Sequence, residues 1–139
     1  MKKTLLFAGV LLLAAFSGDV PYKDGHYKGT SRANYLDEPY YGHAQIVVEN
    51  GKIIQVDFTV RDSAKQVKFD EKYEKYFAGN DLYVQQCRND WKGIQSYPDS
   101  LIKYQDLDKV DAISGATWSY NIFKASVKEA LSAASDGKK

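Results

Sequence analysis

Polar and apolar positions alternate twice in the first half of the chain. From His43 to Glu49, Ala44, Ile46 and Val48 fall on one side; from Lys52 to Val60, Ile54, Val56, Phe58 and Val60 do. Period-two alternation puts apolar side chains on one face of a strand. Asn50-Gly51 separates the two runs, and that pair suits a type I′ turn, whose two central residues both need positive φ. Residues 43–60 therefore predict an antiparallel hairpin with one buried face. Gly25 to Arg32 mixes aromatic and β-favouring residues with glycine and predicts a further strand.

Beyond residue 64 the period changes. Phe69, Tyr73, Tyr76 and Phe77 recur at helical spacing and predict a helix within Lys65–Phe77. Leu82, Val84, Cys87, Trp91 and Ile94 predict a second over Asp81–Ile94, with Gly79-Asn80 as the turn between. Tyr97-Pro98-Asp99-Ser100 opens a third, short one. Trp118 to Ala134 carries the best amphipathic pattern, with Ile122, Phe123, Ser126, Val127, Ala130 and Leu131 on one face and Lys124, Lys128 and Glu129 largely opposite. The fold class is α+β: a small antiparallel sheet with helices packed on it.

The N-terminus is of another kind. Lys2 and Lys3 precede the apolar run Leu5–Phe16, which Gly9 alone interrupts. As a helix the run is about 18 Å long, against roughly 30 Å of bilayer hydrocarbon. It has the form of a secretory signal peptide over residues 1–18, with Ala15, Ser17 and Gly18 as the small residues at the cleavage site. Asp19 stands where a lipoprotein signal needs cysteine. The reading is export to the periplasmic or extracellular face of the cytoplasmic membrane, with the segment either cleaved or retained as a membrane anchor. Residues 19–135 then form one domain and 136–139 a disordered tail.

Composition narrows the chemistry. Without Lys2 and Lys3 the 19 basic residues fall to 17 against 18 acidic ones, so no basic stripe marks nucleic acid as a partner. One cysteine, Cys87, excludes an internal disulfide and any multi-cysteine metal site, and it reads as a core residue. His26 and His43 are too few for a histidine metal cluster and read as structural or exposed. Tyr40 and Tyr41, in the stretch Asp37–His43, lie either near a site or on a partner surface.

One segment stands out, Asp111 to Ser119 (DAISGATWS). Ser114, Gly115, Ala116 and Thr117 are small residues at the entry to the best helix. Amide groups there lack intrahelical partners and the helix dipole is positive, an arrangement that receives phosphate. On physical grounds alone the same segment also serves as a plain helix cap, with Ser114 or Thr117 as the capping residue.

The run Asp111-Ala112-Ile113-Ser114-Gly115-Ala116-Thr117 resembles the flavinylation motif of the FMN-binding domain family, in which Asp, two variable residues and Ser or Thr precede Gly-Ala-Thr. Ser119 matches a hydroxyl usual two residues after that threonine. Tyr97–Val110, the helix from Ser119 to Leu131, Asp24–Gly29 and the Asn50-Gly51 hairpin are similar to the segments around the motif. The family occurs in the flavin subunits of Rnf-type and sodium-pumping NADH:quinone reductase complexes and in small exported flavoproteins.

The resemblance implies FMN joined covalently to the Thr117 hydroxyl through a phosphoester. A separate flavin transferase would attach it, with FAD as donor and a divalent metal held by that enzyme. Ser114, Gly115 and Ala116 would shape the phosphate site, and Ser119 would adjoin the cofactor; Trp118, bulkier than the residues usual there, adjoins Thr117, and its indole would lie against the isoalloxazine. Asp111 would be a recognition or turn residue, or part of the transferase site during modification. The protein would be an electron-transfer relay between redox partner proteins of the cell envelope. Its rivals are a surface or binding module on the same fold that never receives flavin, and a flavin-dependent reductase of a soluble acceptor.

Overall fold

The computed structural model describes residues 22–135. The expected signal peptide and the tail at 136–139 lie outside the described residues. Strands β1 (Gly25–Ser31), β2 (Tyr40–Glu49), β3 (Lys52–Asp62) and β4 (Val67–Lys68) form one antiparallel sheet in chain order. Two long helices follow, α1 (Asp81–Tyr104) and α2 (Thr117–Ser135), so the class is α+β as the sequence predicts.

The hairpin forms around Asn50 (φ 50°) and Gly51 (φ 73°). Asp24, just before β1, accepts from both turn amides, at 3.0 Å from Asn50 and 2.8 Å from Gly51. Ala44, Ile46, Val48, Val56, Phe58 and Val60 form the buried face. The expected partner Ile54 is not among them. Val48 pairs with Ile53 but Val47 with Gln55, so Ile54 is the extra residue of a β-bulge. That slip turns Ile53 inward, 1% exposed, and leaves Ile54 47% exposed.

The last element packs on the first strands. A Cβ at Gly29 would stand 2.0 Å from the Ser126 carbonyl of α2, and one at Gly42 would stand 2.4 Å from the Ile122 and Ser126 side chains. The two glycines let α2 approach the β1–β2 backbone directly. Ile122, Phe123, Val127 and Ala130 fill the layer between, and Phe123 meets Phe58 edge-on at 5.0 Å.

The region from 65 to 104 departs from its periodicity in two ways. Residues 65–77 do not form the predicted helix: they turn, pair as β4 with Arg61 and Asp62, and end in a 3-10 helix at Tyr73–Phe77. Asp62 is the cause. Its carboxylate takes the amides of Ala64 (2.9 Å) and Lys65 (3.0 Å), a side-chain turn that competes with helix. The other departure is that α1 is one helix rather than two, continuing through Pro98 to Tyr104. Cys87, Asp90, Ile94, Tyr97 and Leu101 are buried at helical spacing along its whole length, so packing outweighs the roughly 3 kcal/mol that an interior proline costs. The buried face is rotated from the apolar one expected, and Leu82 is 86% exposed.

Asp62 is fully buried and also accepts from the Tyr73 hydroxyl, which is bonded in turn to Tyr40 at 2.8 Å. Burial alone would raise its pKa. The Tyr73 hydroxyl and the two amides outweigh burial and hold the carboxyl below its ordinary value. Its share of stability is therefore present above the unfolded carboxyl value, near 4, and is lost as pH falls through the lower folded value. Asp62→Asn should flatten the acid limb of stability against pH, read as urea midpoints between about pH 2 and 5.

Candidate functional site

Between α1 and α2 the chain makes a tight turn. Ala116 N–H donates to Ile113 O at 2.9 Å, and Gly115, third of the four turn residues, has φ 80°. That is type II geometry, which calls for glycine at this position. A Cβ there would also stand 2.6 Å from the Asn89 amide nitrogen. Helix α2 starts at Thr117 immediately after the turn.

Asp111, Ser114, Gly115 and Thr117 are exposed, and Ala116 and Ser119 are buried. The Ala116 methyl group sits against Gly93 of α1, and its carbonyl accepts from Tyr97 Oη at 2.9 Å and from Tyr120 N–H at 3.1 Å. Ser119 faces inward, away from the exposed Thr117. Its N–H and its hydroxyl both donate to Asp90 Oδ1, at 3.0 and 2.7 Å. The residue that caps α2 is thus Asp90, on the neighbouring helix, and neither Ser114 nor Thr117 has that role. Thr117 and Trp118 keep their first-turn amides without an intrahelical acceptor.

Asp90 has a second bond on the same turn. Gln86 Nε2 donates both to Asp90 Oδ2 (2.7 Å) and to Gly115 O (2.9 Å), so one amide ties the carboxylate to the turn backbone. Burial of Asp90 raises its pKa more than its bonds from Gln86 and Ser119 lower it. Gln86, Asp90, Gly93 and Tyr97 recur at intervals of four, three and four along α1, one stripe facing the motif. Sequence reasoning passed over this stripe because it sought apolar periodicity. Its signal was a glycine and two polar residues in helical register with Tyr97.

Beside the motif lies a cavity of about 280 Å³. Trp118 and Tyr40, meeting edge-on at 5.0 Å, line it with Phe69, 5.3 Å from Trp118, and with Phe77. Tyr83, Gln86, Cys87 and Asp90 line it from α1, and Glu38 from the residues before β2. The Trp118 indole N–H donates to Glu38 Oε2 at 2.7 Å. Cys87 is buried and its thiol is pushed up to about 11 by burial, then by Asp90 and Glu74, so it is a neutral wall group.

The other residues singled out from the sequence lie elsewhere. His26 is exposed, and His43 shares a bond with Thr30 Oγ1 at 3.2 Å. Tyr40 reaches the cavity, whereas Tyr41 lies under the Arg32 guanidinium, 4.8 Å from the ring centroid. Among the described residues, no group of three or more His, Cys, Asp or Glu is placed to hold a metal, and no helix is long and apolar enough to cross a membrane.

The arrangement suits a phosphate-bearing aromatic cofactor. An exposed hydroxyl and two first-turn amides stand at a helix N-terminus, and the next residue is a wall of an aromatic cavity. The volume lies just under the usual 300–1,000 Å³ of small-molecule pockets.

Comparison with known proteins agrees with this geometry. A family model described as the FMN-binding domain matches residues 42–132. The chain is similar to the crystal structure of the CPE2226 protein from Clostridium perfringens, with a TM-score of 0.65 and 25% sequence identity over 84% of this chain and 92% of that one. No curated protein matches the chain.

Gly115→Ala should destabilise the protein by about 1–3 kcal/mol, since alanine brings both positive-φ strain and the Asn89 contact. A urea titration checks the cost; a loss under about 0.5 kcal/mol would show that the turn relaxes freely.

Proposed function

The chain belongs to the FMN-binding domain family, and from that premise we propose that it is an exported flavoprotein carrying FMN covalently on Thr117 and relaying electrons at or outside the cytoplasmic membrane. The supporting observation is the exposed Thr117 hydroxyl on the first residue of α2, next in sequence to the Trp118 wall of the cavity.

Each residue has a distinct part in this reading. The Thr117 hydroxyl takes the phosphoester. The dipole of α2 and the first-turn amides favour a phosphate there. Ser114 and Gly115, both exposed, leave the approach open to a flavin transferase using FAD and a divalent metal of its own. Ala116, buried against Gly93, keeps the helix start fixed while that enzyme works. Trp118, Tyr40 and Phe69 offer aromatic surface to the ring, with Phe77 and Tyr83 further along. Ser119 acts beneath the site, through Asp90. The bound flavin supplies the electron exchange, and the protein supplies position and electrostatics. Asp111 is exposed ahead of the turn, where an incoming transferase can read it. A covalent tether suits an exported protein, because a lost cofactor could not be replaced outside the cell. The N-terminal segment, cleaved or retained, sets whether the domain is free or held at the membrane, and its electron partners are redox proteins of the cell envelope.

Intact-protein mass after export in a host with a flavin transferase tests the reading. The expected gain is one FMN less one water, mapped by fragmentation to Thr117. Thr117→Ala should abolish it while costing about 1 kcal/mol or less of stability, since the Asp90 cap remains. Covalent flavin on that variant would refute the attachment residue. Asp111→Ala should lower the flavin-loaded fraction with little change in thermal midpoint; full loading would remove Asp111 from any part in modification.

A further inference from the structure

The cavity wall is aromatic except at Gln86, Cys87 and two carboxylates, Glu38 and Asp90, and no lysine or arginine lines it. Asp90 is 1% exposed. Its hydrogen-bond donors are the Ser119 amide, the Ser119 hydroxyl and the Gln86 amide, all neutral. Glu38 likewise accepts from a neutral group, the Trp118 indole. Among the described residues neither carboxylate has a cationic partner within 4 Å. Neutral donors solvate a carboxylate without cancelling its charge. Against the low-dielectric aromatic walls the remaining charge acts on whatever occupies the cavity.

We propose that Glu38 and Asp90 set the redox potential of a flavin ring seated in this cavity, by holding negative charge against it and disfavouring its more electron-rich reduced form. The inference rests on the reading of the chain as a flavin-loaded protein. Charge near the ring is one of the protein's means of tuning a flavin. The two carboxylates differ in what else they hold: Glu38 orients Trp118, whereas Asp90 also caps α2. Glu38 is therefore the cleaner probe. Glu38→Gln removes the charge and keeps an oxygen for the indole N–H, while Glu38→Ala removes both.

The experiment measures midpoint potential by spectroelectrochemical titration of the full exported protein, after intact mass has shown each sample to be loaded. Glu38→Gln and Glu38→Ala should raise the potential alike, Asp90→Asn should raise it, and Glu38→Gln with Asp90→Asn should raise it further. If Asp90→Asn loads poorly through loss of its cap, the two Glu38 variants decide. A loaded wild-type protein whose potential is unmoved or lowered by Glu38→Gln overturns the inference and leaves the functional reading standing. So does a rise confined to Glu38→Ala, which would trace the effect to the Trp118 contact. A wild-type protein without covalent flavin overturns the functional reading, and this inference with it.

Discussion

A carboxylate taken out of water on α1 governs the geometry of the motif. Asp90 accepts the Ser119 amide and hydroxyl and, through Gln86, is tied to the Gly115 carbonyl. Burying such a charge is costly, and three neutral donors, with no counter-ion, offset part of that cost. In return the first turn of α2 and the turn ahead of it are held to one helix. Ala116 packs against Gly93, Tyr97 bonds the Ala116 carbonyl, and Thr117 is left outside on a fixed support.

A second buried carboxylate does comparable work on the other side of the cavity. Asp62 turns the chain after β3 and orders the Tyr73 and Tyr40 hydroxyls into a chain of bonds. Tyr40 then presents its ring to Trp118 and the cavity, while Phe69 stacks on Tyr73 at 4.6 Å and lies 5.3 Å from Trp118. The aromatic walls are thus anchored by polar groups behind them. This is how a small domain keeps rings in place around a space that no side chain fills.

The sheet, the Asn50-Gly51 turn and α2 were legible because each has its own local signal: alternation, positive-φ residues, a 3.6-residue stripe. The motif's place at the α2 entry was legible for the same reason. What was not legible depends on side chains that bond across the fold. Asp62 redirects residues 63–68 into a turn and strand, which no periodicity of Phe69, Tyr73 and Phe77 reveals. Pro98 reads as a helix start, and only the continuous packing of Cys87, Ile94, Tyr97 and Leu101 carries α1 through it. The bulge at Ile54 depends on pairing register, which one strand cannot disclose. Asp90 was hidden because an acid at core spacing reads as a solvated side chain until its donors, Ser119 and Gln86, are known. Ser119 was noticed for its hydroxyl, but its partner lies 29 residues earlier in the chain.

The seating of α2 on β1 bears on the order in which the protein can fold. Lys23 N–H donates to Ala134 O at 3.2 Å, and Thr30 N–H donates to Glu129 Oε2 at 2.9 Å. Gly29 lies against Ser126 and Ala130. The first strand is therefore covered by the last helix, across about a hundred residues of chain. A polypeptide delivered from its N-terminus can close the β2–β3 hairpin early, but β1 keeps its inner face open until residues 117–135 have been made. The domain therefore completes its core only once α2 has been made, however early the hairpin closes.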